Sequence, residues 1–120
     1  MNTREMFQTI IEDNVLIIEL LTRASSVVDS GLLDDLDAVR EKLRSGQIRS
    51  VVVDLGQVAY FGSNMLESLR GLWNDLTPHQ GKMVICNASE VGREILLIAK
   101  FDHIWPIVAT REEALKLVRA

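Results

Sequence analysis

Val51 to Trp73, VVVDLGQVAYFGSNMLESLRGLW, reads as strand, loop and helix. The β-branched run Val51-Val52-Val53 ends at Asp54-Leu55. Gly56, Gln57, Gly62, Ser63 and Asn64 then make a compact loop. An amphipathic run starts at Met65 and carries Leu66, Leu69, Leu72, Trp73 and Leu76 on one arc. The loop presents a hydroxyl and an amide where the helix begins. A helix start has unpaired backbone N–H groups and a partial positive charge, and so favours an anion such as a phosphate. Ser63 has two readings there. It is an N-cap, a role Asn64 can share, or it is a regulatory or catalytic serine.

Working outward, Thr77-Pro78 stops this helix, and Gly81 leads to a strand over Met83 to Cys86. Ser89 caps a further helix carrying Val91, Ile95 and Ile98. Ile104 to Val108 reads as a last short strand, and Pro106 within it argues for an edge position. Thr110 and Glu113 form a capping box for a final helix. Upstream, Phe7 to Ile11 and Val15 to Leu21 flank the turn signal Glu12-Asp13-Asn14 and predict a hairpin. The second of these strands is apolar almost throughout, which suggests burial on both faces. Leu32, Leu36, Val39 and Leu43 recur at helical spacing. Ser30 or Asp29 caps that helix, Asp34 and Asp35 sit in its first turns, Lys42 and Arg44 complement its C-terminus, and Gly46 follows its end. The next strand is Ser50 to Asp54. The order, a hairpin and then strands alternating with helices, predicts an α/β domain whose later strands are parallel. The sheet has about five strands, with four helices.

A chain of 120 residues is one domain spanning residues 1–120. The net charge of −4 carries no basic footprint for nucleic acid or for a membrane surface. No apolar run reaches the ~18 residues of a membrane span, and Met1 to Glu5 leads into no signal-peptide core. The expected location is the cytoplasm. The lone Cys86, in the run Met83-Val84-Ile85-Cys86, reads as a small buried hydrophobe. His79 and His103 lie far apart with no ligand-spaced neighbour, so no metal is expected. No phosphate-binding glycine loop is present, and no cofactor is expected. Gly62-Ser63-Asn64-Met65-Leu66 is not the Gly-x-Ser-x-Gly elbow of hydrolases. A hydrolase using Ser63 would need His79 or His103 to reach the loop.

The same passage resembles the STAS domain, the fold shared by bacterial anti-sigma-factor antagonists and the cytoplasmic tails of sulfate transporters. In that family a strand ends in Asp-Leu. Val-x-Phe/Tyr and an apolar residue follow, then Asp-Ser-Ser/Thr-Gly-Leu and a helix. Asp54-Leu55, Val58, Tyr60-Phe61, Ser63 and Leu66 fall in step without gaps. Gly81 to Asn87 resembles the family's Gly-Gly-x-Leu-x-Leu-x-Asn strand. Phe101 to Ile107 resembles its Leu-Asp-x-Leu-Phe-x-Ile, and Thr110 to Leu115 its closing Ser-x-Glu-Glu-Ala-Leu. The resemblance implies helices mainly on one side of a mixed sheet. It also implies a non-catalytic module that binds an anti-sigma factor of the serine-kinase type and is released by phosphorylation at the helix start. In this register Gly62 replaces the Asp, Ser63 takes the first Ser, Asn64 stands at the phosphoacceptor and Met65 replaces the Gly. An amide nitrogen does not take a phosphoryl group by this chemistry. The usual phosphoswitch is therefore expected to be missing, and Ser63 is the remaining hydroxyl for a modified one.

At about 100° per residue, Asn64, Ser68, Gly71 and Asp75 line one stripe beside the apolar arc. Gly71 either permits close packing inside the domain or opens a shallow groove. Continuity with Ser63 favours a docking face made of Gly62, Ser63, Asn64, Met65, Ser68, Gly71 and Asp75. Met65 belongs to that face if exposed and to the core if not. Asp54 is expected to shape the loop by accepting its backbone N–H groups, the alternative being a role in a phosphorylation site. The rival to a docking module is a small-molecule or nucleotide binder, or a hydrolase, using Ser63. A docking module predicts a flat or convex surface at the loop, and a hydrolase predicts a pocket. Nothing in the pattern specifies an oligomeric state.

Overall fold

A computed structural model describes residues 7–21, 37–58 and 61–119, with the backbone alone at Asp37, Ala38, Ser63 and Asn64. Asp13 adopts a left-handed conformation (φ 59°), and the chain turns back on itself there. Strand β1 (Phe7–Glu12) thereby pairs antiparallel with β2 (Val15–Leu20). Helix α1 (Asp37–Arg44) follows, then β3 (Ser50–Asp54), α2 (Ser63–Leu76), β4 (Lys82–Cys86), α3 (Glu90–Ile98), β5 (Ile107–Val108) and α4 (Arg111–Arg119). The strands stand in the sheet in chain order, β1 to β5, and β2 through β5 run parallel. This is the expected five-stranded mixed sheet. Leu32, Leu36 and the caps Asp29 and Ser30 lie outside the described residues.

The period of two divides the sheet's apolar residues between two cores. Leu16, Ile18, Val51, Val53, Met83 and Ile85 face one side, where Leu43 of α1, Met65, Leu69, Leu72 and Leu76 of α2 and Leu96 of α3 cover them. Val15, Ile17, Val52, Val84 and Cys86 face the other, where Ala114 and Val118 of α4 cover them. Each large side chain fully buried in this way contributes about 1.5–3 kcal/mol. Every residue of β3 is buried, as fits a central strand covered on both faces. Trp105 closes the larger core, its ring edge-on to Phe101 at 4.6 Å and to Trp73 at 6.3 Å.

The local punctuation follows its chemistry. Gly46 takes φ +83° just past α1, a conformation that costs other residues strain. Ser89 Oγ accepts the Gly92 N–H at 2.9 Å and caps α3. Thr110 Oγ1 accepts the Glu113 N–H at 3.1 Å while Glu113 Oε1 accepts the Thr110 N–H at 3.2 Å, so the capping box at α4 is complete.

Two expectations are corrected. The last strand is only Ile107–Val108. Phe101–His103 instead forms a turn of 3-10 helix that delivers Trp105 to the core. On α3, Val91 and Ile98 are exposed, and the buried residues are Gly92 and Leu96. A side chain at Gly92 would come within 3.1 Å of the Phe61 ring, so this glycine is what lets α3 approach the loop.

Candidate functional site

The loop between β3 and α2 begins on a fixed root. Asp54, the last residue of β3, is buried, and both of its oxygens are used. Oδ1 accepts the Gly56 N–H at 2.9 Å and Asn87 Nδ2 at 3.1 Å. Oδ2 accepts Arg111 Nε at 3.0 Å and lies 2.8 Å from Arg111 Nη2. Asp54 thus accepts a backbone N–H of the loop at its root. Sequence reasoning missed Asn87 and Arg111, which arrive from other elements. The chain then makes a turn closed by Val58 N–H to Leu55 O at 3.0 Å, and Leu55, Val58 and Phe61 anchor it in the core. Ala59 and Tyr60 fall outside the described residues.

The helix that follows starts one residue earlier than a Ser63 cap requires and two earlier than an Asn64 cap requires. Gly62 is the N-cap, Ser63 and Asn64 are the first helical residues, and the N-cap residue has no side chain with which to cap the helix. Capping by Ser63 or Asn64 is therefore corrected. Its first turn also holds no acidic residue. The N-cap Gly62 is exposed, and no carboxylate of the first turn offsets the partial positive charge of the helix start.

The predicted docking stripe does not hold together as a surface. Met65 and Ser68 are buried, Met65 among the core residues. Gly71 is half-buried. Asp75 is turned to α1, where it bonds Arg40 Nε and lies 3.5 Å from Arg44 Nε, with its side chain only 10% exposed. The lower half of that stripe is a seam between two helices. The outward stripe lies about 100° further round α2, at Glu67, Arg70 and Asn74, all exposed. It continues the line of Ser63 at helical spacing. The signal was present as a polar i, i+4, i+7, i+11 series, but nothing local ranks it above its neighbour. Arg70 also lies over the Phe101 ring, 5.3 Å from its centre.

No described residue of the loop lines the surface clefts described. The nearest in sequence, about 200 Å³, is lined by Leu66, Glu67, Arg70, Ala99 and Phe101. A larger one, about 300 Å³, lies beside the β5 edge between Trp73, Met83, Ile104 and Leu117. His79 follows the C-terminus of α2, roughly 20 Å of helix from Ser63. Its Nε2 is 2.6 Å from the Arg44 carbonyl. His103 follows the C-terminus of α3 and stands 3.8 Å from Asp102. The length of α2 between Ser63 and His79 puts that imidazole far beyond the separation near 3 Å that a base for Ser63 needs. Among the described residues no cluster of His, Cys, Asp or Glu is arranged to hold a metal, and no helix is long and apolar enough to cross a membrane. Beneath the site, burial pushes the Cys86 thiol up to about 12. The Asp54 carboxylate adds to the rise and the Arg111 guanidinium opposes it. The thiol is protonated and poorly nucleophilic at neutral pH.

The comparisons with known proteins agree with this architecture. BtrV of Bordetella bronchiseptica, provisionally named an anti-sigma factor antagonist, is 31% identical over 96 residues, covering 79% of this chain and 82% of BtrV. The anti-sigma factor antagonist SpoIIAA in its unphosphorylated form superposes with a TM-score of 0.77 at 19% identity, over 94% of this chain and 96% of that one. Phosphorylated SpoIIAA of Bacillus gives a TM-score of 0.71 at 18% identity, over 93% and 98% of the two chains. An anti-sigma-factor antagonist (STAS) domain protein from Planctomyces limnophilus gives 0.74 at 24% identity, over 95% and 98%. The STAS domain model matches residues 7–114. With its hairpin-led mixed sheet, its loop rooted on Asp54 and its helix starting at Ser63, the chain belongs to the STAS domain family, among the anti-sigma-factor antagonists.

Proposed function

We propose that this domain is a non-catalytic docking module in bacterial partner-switching signalling, with an anti-sigma factor of the serine-kinase type as its protein partner. The observation that carries this reading is the exposed N-cap Gly62, which leaves α2 without a capping side chain of its own, set on a pinned loop root and followed by the outward stripe Glu67, Arg70 and Asn74. A surface of that kind suits a protein face, and the length of α2 between Ser63 and His79 speaks against that histidine as the base of a hydrolytic Ser63. The reading places the module in the cytoplasm, where a kinase-type partner has ATP.

We further propose that the phosphoswitch is missing. Asn64 is the second residue of α2 and aligns with the family's acceptor. A phosphoserine adds about −1.5 to −2 charges to a surface that fitted a neutral side chain. Asn64 keeps that position neutral, so the protein stays in the binding-competent state. The test incubates the purified chain with the serine-kinase-type anti-sigma factor from the same organism and ATP. Complex formation is then measured, and phosphate is mapped by mass spectrometry. The expected result is a complex that survives ATP, with no phosphate on the chain. Asn64→Ser should restore phosphorylation at position 64. Stoichiometric phosphate on Ser63 that releases the partner would replace the phosphate-blind reading with a Ser63 switch. Absence of any complex would remove the docking reading itself.

A further inference from the structure

Glu19, Asp54 and Cys86 are register partners across β2, β3 and β4, so their side chains leave the same face of the sheet side by side. Like charges on neighbouring strands repel one another. Both carboxylates are withdrawn from water, with side-chain exposures of 6% for Asp54 and 25% for Glu19. The cation that answers them is Arg111, the first residue of α4. Its Nη2 is 2.8 Å from Asp54 Oδ2 and 3.9 Å from Glu19 Oε2, so one guanidinium lies between the two acids. Each acid also holds one residue of the loop's first turn. Asp54 Oδ1 accepts the Gly56 N–H at 2.9 Å, and Glu19 Oε2 accepts Gln57 Nε2 at 3.2 Å.

We propose that Arg111 is a positioning residue for the docking loop: it fixes Asp54 and Glu19, and through them the turn at Gly56 and Gln57 from which the chain rises to Ser63. The functional weight of this inference rests on the docking reading above, while the latch itself is a property of the isolated protein. Helix α4 does not depend on Arg111 for its own attachment. Ala114 and Val118 are buried beneath it, the capping box closes its start, and Arg119 Nη2 reaches Glu12 Oε1 at 2.9 Å. Losing the guanidinium therefore leaves both carboxylates without their cation, with Asn87 Nδ2 still on Asp54 Oδ1, and loosens the loop while the helix stays docked. Arginine suits the place because its planar fork offers several N–H groups at once, where lysine offers a point charge.

Residue-resolved amide exchange by NMR on the isolated chain tests this, comparing the wild type with Arg111→Gln and Arg111→Lys. In Arg111→Gln, exchange at Gly56 and Val58 should rise at least tenfold. Val52 and Val84 in the sheet, and Ala114 and Val118 in α4, should keep their wild-type rates. Arg111→Lys, which keeps the charge without the fork, should fall between the two and guards against a failure of Arg111→Gln to fold. Unchanged exchange at Gly56 and Val58 in Arg111→Gln would overturn the proposal. So would acceleration of all these amides by one common factor, because Arg111 would then hold the fold as a whole. No partner is present in the measurement, so its failure is distinct from a failure of the docking reading.

Discussion

Substituting aspartate for Gly62 probes the start of α2 directly. The N-cap backbone at Gly62 has φ −115° and ψ −161°, an extended conformation that any residue adopts, and a Cβ there meets nothing within 4 Å. The new carboxylate would lie beside the N–H groups of Asn64 and Met65, those an N-cap side chain reaches. Glycine is already a tolerable cap, so the bond itself adds a few tenths of a kcal/mol. The charge facing the helix dipole adds about 0.3–1 kcal/mol. The freedom that glycine gives the unfolded chain, once removed, adds about 0.4–1 kcal/mol. The sum is about 1.5 kcal/mol, which raises Tm by about 6 °C for a domain of this size. Favourable contacts to the ionised form lower the folded pKa of the new carboxyl below its ordinary value of about 3.9. Its electrostatic contribution is thus present above about pH 4 and is lost as pH falls through the folded value. Calorimetry at pH 7 and at pH 2.5 reads this, with Gly62→Asn as the control that keeps the cap and loses the charge. A Gly62→Asp protein no more stable than the wild type at pH 7, or one whose whole gain persists at pH 2.5, would refute the uncapped-helix argument.

Other perturbations have equally definite outcomes. Asp75→Ala leaves Arg40 and Arg44 facing a seam without their carboxylate. It should cost about 2 kcal/mol in urea denaturation, a partly exposed fraction of the ~3–5 kcal/mol for breaking a buried pair, and leave partner affinity unchanged. Glu67→Arg and Asn74→Arg alter exposed positions on α2. They should weaken the complex with the anti-sigma factor at least tenfold by titration while Tm stays within a degree or two. Cys86 has a folded pKa raised from 9.0 to about 12, so the unfolded chain loses its proton first. Its contribution to stability is complete below pH 9 and falls as pH rises toward 12. Thermal melts of Cys86→Ala should decline less over that range than melts of the wild type, and native labelling of Cys86 should be slow until denaturant is added.

Much of the architecture was legible because it is written locally. The run Val51-Val52-Val53 fixed the central strand, Thr110 and Glu113 the start of the last helix, and Gly46 the end of the first described one. The candidate site was legible only in part. The loop and its root at Asp54 follow from the strand's end, but Arg111 lies 57 residues from Asp54 and Asn87 lies 33. No periodicity links residues so far apart. On α2, the series 64, 68, 71, 75 and the series 63, 67, 70, 74 are both polar. The choice between them is made by Arg40, reaching across from another helix to Asp75. On α3 the branched residues Val91 and Ile98 suggested the buried face. Packing against Phe61 instead demanded a residue without a side chain, and that put Gly92 and Leu96 inward.

The strands stand in the sheet in the order in which they occur in the chain. Each strand emerging from a ribosome therefore finds its neighbour already made, and growth proceeds from one edge without any strand having to insert between two others. Loop closures stay short, which favours rapid assembly and limits the time that unpaired edges are open to misassociation. Arg111 is synthesised after every strand is available, so the guanidinium that holds Asp54 and Glu19 is the last component of the loop's support to arrive. A nascent chain halted before α4 would carry a nearly complete sheet with the Val15, Ile17, Val52 and Val84 face uncovered. Emergence of α4 then seals that face and sets the loop in one event.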